Sequence, residues 1–415
     1  MKILFLNAYF YPEDIASSYL GHNIRDALIQ NGSSIVLYAP VPSRGVSSVI
    51  RKEYGSSKKN ENWHNGKMVI HRFSMYKENK SSLSRAVRYF LVAIKLLNRG
   101  LFAKDARSCD VLFIPSTPPI MGIMASFIKR FTKKPFIYCL QDIFPDSLVG
   151  TGMTHKGSLL WKIGRIVENI TYRNADSIIV ISEDFKKNIM AKGVPEDKIE
   201  VIRNWVEEDA VVDIPRSENV LFPRYGLDPD KFYITYSGNI GMTQNLDMLL
   251  DVMEELQNEA PDVRLVLIGE GAYKLRAEEI IKEKNLGNVS MLPFQPYEEI
   301  SHVFSLGDAG LVISKPGVGS NSVPSKTWSI MSASRPVLAN FDENELKDIV
   351  TEHRCGIFTK AGDKDAFKAA VLELYHHPEL CREYGSNGRK YVLDYLTKGV
   401  GTQRYVDVIK RFEKQ

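Results

Sequence analysis

Cysteine is scarce: Cys109, Cys139, Cys355 and Cys381 are scattered through 415 residues with no Cys-x-x-Cys spacing. That excludes a disulfide framework and a thiolate zinc site, and it fits reduced thiols in the cytoplasm. Long apolar runs are missing as well. The nearest, Tyr89 to Leu97, is broken by Lys95, so no segment reads as a membrane span. The apolar start Met1-Lys2-Ile3-Leu4-Phe5-Leu6 is too short for a secretory leader and reads as a first buried strand. Glycine is absent from the turn after it, Asn7-Ala8-Tyr9-Phe10-Tyr11-Pro12, which excludes the Gly-x-Gly-x-x-Gly fingerprint of dinucleotide dehydrogenases. Of the eight histidines, His22, His302 and His353 read as helix-surface or loop residues, and none is grouped with metal-ligand partners. Asp228-Pro229-Asp230 has an Asp-x-Asp pattern, but it precedes a strand and reads as turn chemistry.

What is present is average globular usage, 44% hydrophobic and 25% charged, at a length that suggests two domains. The net charge of +4 hides an asymmetry. Up to Trp205 there are 30 Lys and Arg against 17 Asp and Glu, whereas the remainder has 24 against 33. Such an imbalance points to one domain facing an anionic surface or ligand.

Strand-like runs alternate with helix-period segments through both halves, the pattern of parallel sheets covered by helices. The first half offers strands at Lys2–Leu6, Ser34–Tyr38, Val69–Arg72, Val111–Ile114, Pro135–Tyr138 and Ser177–Ile181. Helices fall at Tyr19–Asn31, Ser84–Ala106, Ile120–Phe131, Leu159–Asn174 and Glu183–Lys192. The second half repeats the rhythm, with strands at Phe232–Tyr236, Arg264–Ile268, Val289–Leu292, Ala309–Val312, Pro336–Ala339 and Gly356–Phe358. The boundary falls near Val206, before the acidic, proline-containing stretch Glu207–Asp230. Glu379–Phe412 reads as long and helical, and Val41–Lys67, rich in Ser, Lys and Asn, as a mobile loop.

Two glycine turns end strands of the second half: Ser237-Gly238-Asn239-Ile240-Gly241, ahead of a helix expected from Gln244 to Gln257, and Gly269-Glu270-Gly271. Glycines there let a ligand approach the backbone, and a helix N-terminus attracts phosphate, though the same residues also serve a plain tight turn. A third element, Ser320-Asn321-Ser322-Val323-Pro324-Ser325-Lys326, leads into a helical run from Thr327 to Ser334, with Ser322 suited to the N-cap. Lys326 opposes the helix dipole, which makes sense if an anion sits beside it, against the plainer role of a solvated lysine.

Taken in order, six segments resemble the family 4 retaining glycosyltransferases of GT-B fold, in particular the bacterial branch with N-acetyl-L-fucosamine and colanic-acid fucosyl transferases. They are Tyr9-Phe10-Tyr11-Pro12-Glu13, Gln141-Asp142-Ile143-Phe144-Pro145-Asp146, Ala175–Ser182, Ile202–Val206, Gly238–Gly241 and Val323–Lys326. The resemblance implies two Rossmann-like α/β domains facing a cleft: residues 1–206 with a returning helix at about 391–415 for the acceptor, and 207–390 for the nucleotide-sugar donor. It implies a UDP-linked donor, such as an N-acetylated 6-deoxyhexose, held by Gly238, Asn239, Gly241, Gly269, Ser325, Lys326 and Ser329. It also implies a polyprenyl-diphosphate-linked saccharide acceptor, in O-antigen, capsule or exopolysaccharide synthesis. Neither cofactor nor metal is expected, and no nucleic acid.

Three departures bear on that reading. The family's paired glutamates match Asn321 and Ser329, the glycine pair of its first loop is replaced around Ile15-Ala16-Ser17-Ser18, and the histidine of its middle loop is Gln141. A neutral glutamine does no acid/base work, so Asp142 joins Lys326 as the expected catalytic pair; a loop hydrogen bond is the plainer role for Asp142. Glu13 either orients the acceptor or caps the following helix. The lost glutamates leave a non-catalytic nucleotide- or partner-binding protein as the alternative. Finally, Ser81–Arg107 interleaves Arg85, Arg88, Lys95, Arg99, Lys104 and Arg107 with apolar residues, and Lys129, Arg130, Lys133 and Lys134 lie near Phe127 and Phe131. These segments point to peripheral docking on the anionic inner face of the plasma membrane, against the plainer role of a core-covering helix.

Overall fold

The computed structural model describes residues 1–13, 18–78, 81–150, 154–319 and 323–413. It resolves into two units, Met1–Arg203 with Gly401–Gln415, and Asn204–Val400.

The first unit is built on eight strands: β1 Lys2–Leu6, β2 Ser34–Pro40, β3 Asn60–Trp63, β4 Met68–Phe73, β5 Val111–Pro115, β6 Phe136–Leu140, β7 Ser177–Val180 and β8 Ile199–Val201, ordered β3-β4-β2-β1-β5-β6-β7-β8. All pair in parallel except β3 with β4. The central strands are apolar along their length because helices cover both faces. Small residues set the spacing of one helical layer. A Cβ added at Gly100, in the Ser82–Phe102 helix, would lie 2.4 Å from Ile128 in the Ile120–Thr132 helix. One added at Gly122 of the latter would lie 2.2 Å from Thr171 in the Leu159–Asn174 helix. The returning C-terminal segment packs Tyr405 beside Phe113, with its hydroxyl 3.4 Å from the Cys139 sulfur.

The stretch Val41–Lys67, expected as a mobile loop, is ordered secondary structure. Ser47 caps a Ser48–Gly55 helix by accepting from the Ile50 amide, and β3 folds back antiparallel on β4 through His64, Asn65 and Gly66, all at positive φ. Buried Tyr54 packs under the Arg72 guanidinium, 4.5 Å from its ring. A four-residue, mostly polar edge strand carries too few apolar residues for its period to register. The expected Ser84–Ala106 helix likewise breaks at Ala103 into Ser82–Phe102 and Lys104–Arg107.

The second unit has six parallel strands: β9 Phe232–Ser237, β10 Val263–Ile268, β11 Val289–Leu292, β12 Ala309–Ile313, β13 Val337–Phe341 and β14 Gly356–Lys360, ordered β11-β10-β9-β12-β13-β14. The chain's long C-terminal stretch is two helices, Pro378–Tyr395 in the second unit and Lys398–Lys410, most of which belongs to the first, parted where Thr397 bridges to Val206. Among the described residues no helix is long and apolar enough to cross a membrane.

Candidate functional site

In open parallel sheets ligands bind beyond the carboxyl ends of the strands, where strand order reverses. In the second unit that point lies between β9 and β12. There the β9 turn and the β10 turn meet at van der Waals limits: a Cβ on Gly269 would sit 2.0 Å from the Gly238 carbonyl oxygen, and one on Gly271 would sit 2.1 Å from that of Ile240. Both Gly238 (φ 138°) and Gly269 (φ 146°) adopt backbone angles that side chains resist. The Tyr236 hydroxyl donates to the Asn239 carbonyl at 2.8 Å.

The turn differs from expectation in what its amides do. Gly238 N–H donates to Ile268 O, Ile240 N–H to Glu270 O, and Gly241 N–H to Gln244 Oε1. The next helix starts only at Leu246, two residues later than expected, and carries Asp247 in its first turn. Two of these amides tie the β9 turn to the β10 turn and the third is held within its own loop, so protein oxygens engage all three and leave cationic charge at this edge to a side chain.

Lys326 supplies it. It opens the Lys326–Ser332 helix, one residue earlier than expected, and Ser325 stands at the N-cap without a side-chain cap bond. Ser322, expected in that role, and Asn321 lie outside the described residues. The Lys326 ammonium rests 3.5 Å from the centre of the Tyr236 ring and 3.0 Å from where a Cβ on Gly238 would be. Among the described residues no carboxylate pairs with it. Loss of water around the charge lowers its pKa to about 7. Ser329 follows one turn later on the same helix face. Gly238, Asn239, Gly241, Gly269 and Lys326 are thus brought together around one strand-edge locus.

In the first unit the switch point lies between β1 and β5, and it holds a cavity of about 280 Å³. Asn7, Tyr9, Phe10 and Tyr11 line it from the end of β1, Ser116 and Thr117 from β5, and Gln141 from β6. The Ser18–Gln30 helix adds His22 and Arg25. His22 is not the surface residue expected from the sequence: its ring stacks on Trp63 (centroids 6.5 Å apart), and burial, then Arg25, holds its pKa below the ordinary value. The buried Arg25 guanidinium lies 4.9 Å from the Phe10 ring centre, and burial lowers its pKa to about 10. These residues escaped notice in the sequence because Trp63, Phe10 and Arg25 meet only through the fold. Aromatic faces interleaved with polar groups and one buried cation suit a sugar ring.

Glu13 has another task. Its carboxylate accepts from the Ser43 amide at 2.7 Å, the Arg44 amide at 2.9 Å and the Phe10 amide at 3.3 Å, so it ties the loop after β2 to the β1 turn. Glu13 also lines the cavity, so the carboxylate that braces these loops stands at the wall of the expected acceptor side. Asp142 falls outside the cavity lining; Gln141, its neighbour, faces in. Asp142 instead lines a separate small pocket with Pro119, Tyr138 and Phe144, and the Ile143 amide and Ser147 hold its carboxyl. Partial burial outweighs those bonds and raises its pKa. Asp230 N–H donates to Asp228 Oδ1 at 3.0 Å, the turn expected there.

Residues 22–210 match the model of Glycosyltransferase Family 4 and residues 217–391 that of Glycosyl transferases group 1. The chain belongs to this family of GT4-type, group 1 glycosyltransferases, and it is an enzyme of that class. It is 24% identical to the probable glycosyltransferase WbjE of Pseudomonas aeruginosa over 293 residues, 70% of this chain and 71% of that one. It is 28% identical over 202 residues to WcaI of Escherichia coli (strain K12), named as a candidate colanic acid biosynthesis glycosyl transferase. That alignment spans 46% of this chain and 48% of the relative. In fold it is similar to Anabaena HepE in complex with UDP, with TM-score 0.72 and 14% identity over 99% of this chain and 100% of that one. It is also similar to WaaG, a glycosyltransferase involved in lipopolysaccharide biosynthesis, with TM-score 0.66 and 11% identity over 98% and 99% of the two chains. The fold is GT-B.

Proposed function

We propose that the protein moves a sugar from a UDP-linked donor, held at the β9–β12 switch point, onto a lipid-linked saccharide received at the β1–β5 switch point, in the assembly of a surface polysaccharide. The observation that carries this reading is the Lys326 ammonium, set on the Tyr236 ring beside two backbone-crossing glycine turns with no described counter-charge. A nucleoside diphosphate supplies what that position lacks. The UDP held by the structurally similar HepE and the colanic acid naming of WcaI support the same reading.

In the proposed mechanism Lys326 neutralises charge that grows on the leaving diphosphate as the sugar–phosphate bond breaks. The acceptor hydroxyl attacks the same face of the sugar, its oxygen bonds to the anomeric carbon, and its proton passes to the departing phosphate oxygen; configuration is retained. No divalent metal is called for, since Lys326 provides the positive charge, so turnover persists in EDTA. The donor sugar is an N-acetylated 6-deoxyhexose in this reading. Arg25, His22 and Gln141 line the acceptor pocket, and Asp142, outside that lining, meets the acceptor where it extends past Gln141. Asp142→Asn therefore lowers turnover about 10²-fold or more while UDP affinity stays unchanged. The check is calorimetric UDP binding beside a transfer assay; a full-rate Asp142→Asn enzyme removes Asp142 from the mechanism.

A further inference from the structure

The Leu159–Asn174 helix is inverted. Its inward face buries Gly164, Glu168, Thr171 and Tyr172, with Glu168 held by Arg165, Lys192 and the Tyr172 hydroxyl. Its outward face carries Leu159, Ile163, Ile166 and Ile170, exposed by 75, 50, 58 and 38%. The spacing i, i+4, i+7, i+11 draws these four into one narrow stripe along the helix. A helix that only covered a sheet would turn such residues inward. It is the charge and the tyrosine that go inward here, so the outward stripe is not a leftover of core packing.

The stripe does not stand alone. The Ile120–Thr132 helix packs between this helix and Ser82–Phe102, as the close approaches at Gly122 and Gly100 show. It exposes Phe127 and Phe131, one turn apart. The Ser82–Phe102 helix exposes Val87, Phe90 and Ile94, again at i, i+3, i+7. One helical layer thus turns three apolar stripes to solvent, far beyond the scattered exposed hydrophobes of an ordinary surface. Its charged rim has one sign. Arg99, Arg130, Lys162 and Arg173 stand exposed on these helices with Lys104 and Lys133 just beyond their ends, Glu168, the acidic residue among the three, is buried, and Asp105 and Asp176 beside them are half-buried against His71 and Lys129.

We propose that this three-helix layer docks on an anionic lipid bilayer, with the Leu159–Asn174 stripe inserted at the headgroup boundary. The proposal rests on the reading that the acceptor is lipid-linked and adds the face that reaches it. Charge selects the occupant: a second copy of the same face would bring like-charged rims together, whereas anionic headgroups neutralise them. Apolar side chains then leave water as the basic rim meets phosphate.

The test is co-sedimentation of the full chain with phosphatidylcholine vesicles, with and without phosphatidylglycerol. Binding to the anionic vesicles is expected, weakened by salt. The Ile163→Ser/Ile166→Ser variant is expected to lose about tenfold or more in partitioning, because two exposed aliphatic chains no longer transfer from water. Lys162→Glu/Arg173→Glu should lose the preference for phosphatidylglycerol. Both variants alter exposed residues, and an unchanged circular dichroism spectrum and unfolding midpoint certify their fold. Vesicle binding that survives both variants overturns the proposal, as does failure of the parent to bind anionic vesicles at low salt. So does a dimer that the serine variant converts to monomer. Vesicle binding without sugar transfer to a lipid-linked acceptor would sink the functional reading and leave the docking face standing.

Discussion

Lys326, proposed as the donor's cation, is buried at a cost to stability, and the sign of that cost is testable. A lysine in the unfolded chain keeps its proton up to about 10.5, whereas the folded one releases it near 7. Between those values the unfolded chain binds more protons, so stability rises as pH climbs from about 7, and below 7 the full penalty of the charged ammonium remains. Lys326→Met should therefore stabilise the fold at pH 6.5 by roughly 1–3 kcal/mol, allowing for residual contact with solvent, while donor binding weakens. Thermal unfolding at pH 6.5 checks it, and a less stable variant would contradict the placement. A bound diphosphate restores the proton. At pH 8 donor binding should take up roughly one proton, visible as a dependence of the calorimetric heat on buffer ionisation enthalpy, and at pH 6 almost none. Lys326 was legible in the sequence because a cation in a helix's first turn breaks a local rule. Arg25 and His22 break none: only Phe10, from the β1 turn, and Trp63, from β3, make them a site.

At the scale of elements, the alternation of apolar strands and periodic helices located the strands of both sheets except β3 and β8, because buried parallel strands are apolar along their length. Two things stayed hidden. A polar edge strand such as β3 has no apolar period, and the Leu159–Asn174 helix looks ordinary in sequence because a stripe of leucine and isoleucine reads the same whether it faces core or solvent. Only its neighbours decide, and Gly122 is the neighbour that fixes its depth. A methyl group there would fall 2.2 Å from Cγ2 and 2.3 Å from Oγ1 of buried Thr171, whose branched side chain has little room to turn away. Gly122→Ala should cost about 1–3 kcal/mol in denaturant unfolding. An unchanged midpoint would mean that the two helices are not in this contact.

At the scale of the whole molecule, charge and chemistry divide along the chain. The basic first half carries the aromatic cavity and the three-stripe layer, and the acidic second half sets the Lys326 ammonium at its ligand edge. Lys315, whose amide donates to the Thr243 carbonyl at 2.7 Å, adds a second cation at the end of β12, but Lys326 is the one set against the Gly238 turn. The central claim is that this ammonium holds the donor's diphosphate. The measurement that tests it most directly is calorimetric titration of UDP into the parent chain and into Lys326→Ala. The account predicts binding to the parent and a loss of about 1.5–3 kcal/mol, roughly 10- to 150-fold, in the variant. Equal affinity in the two proteins would contradict it.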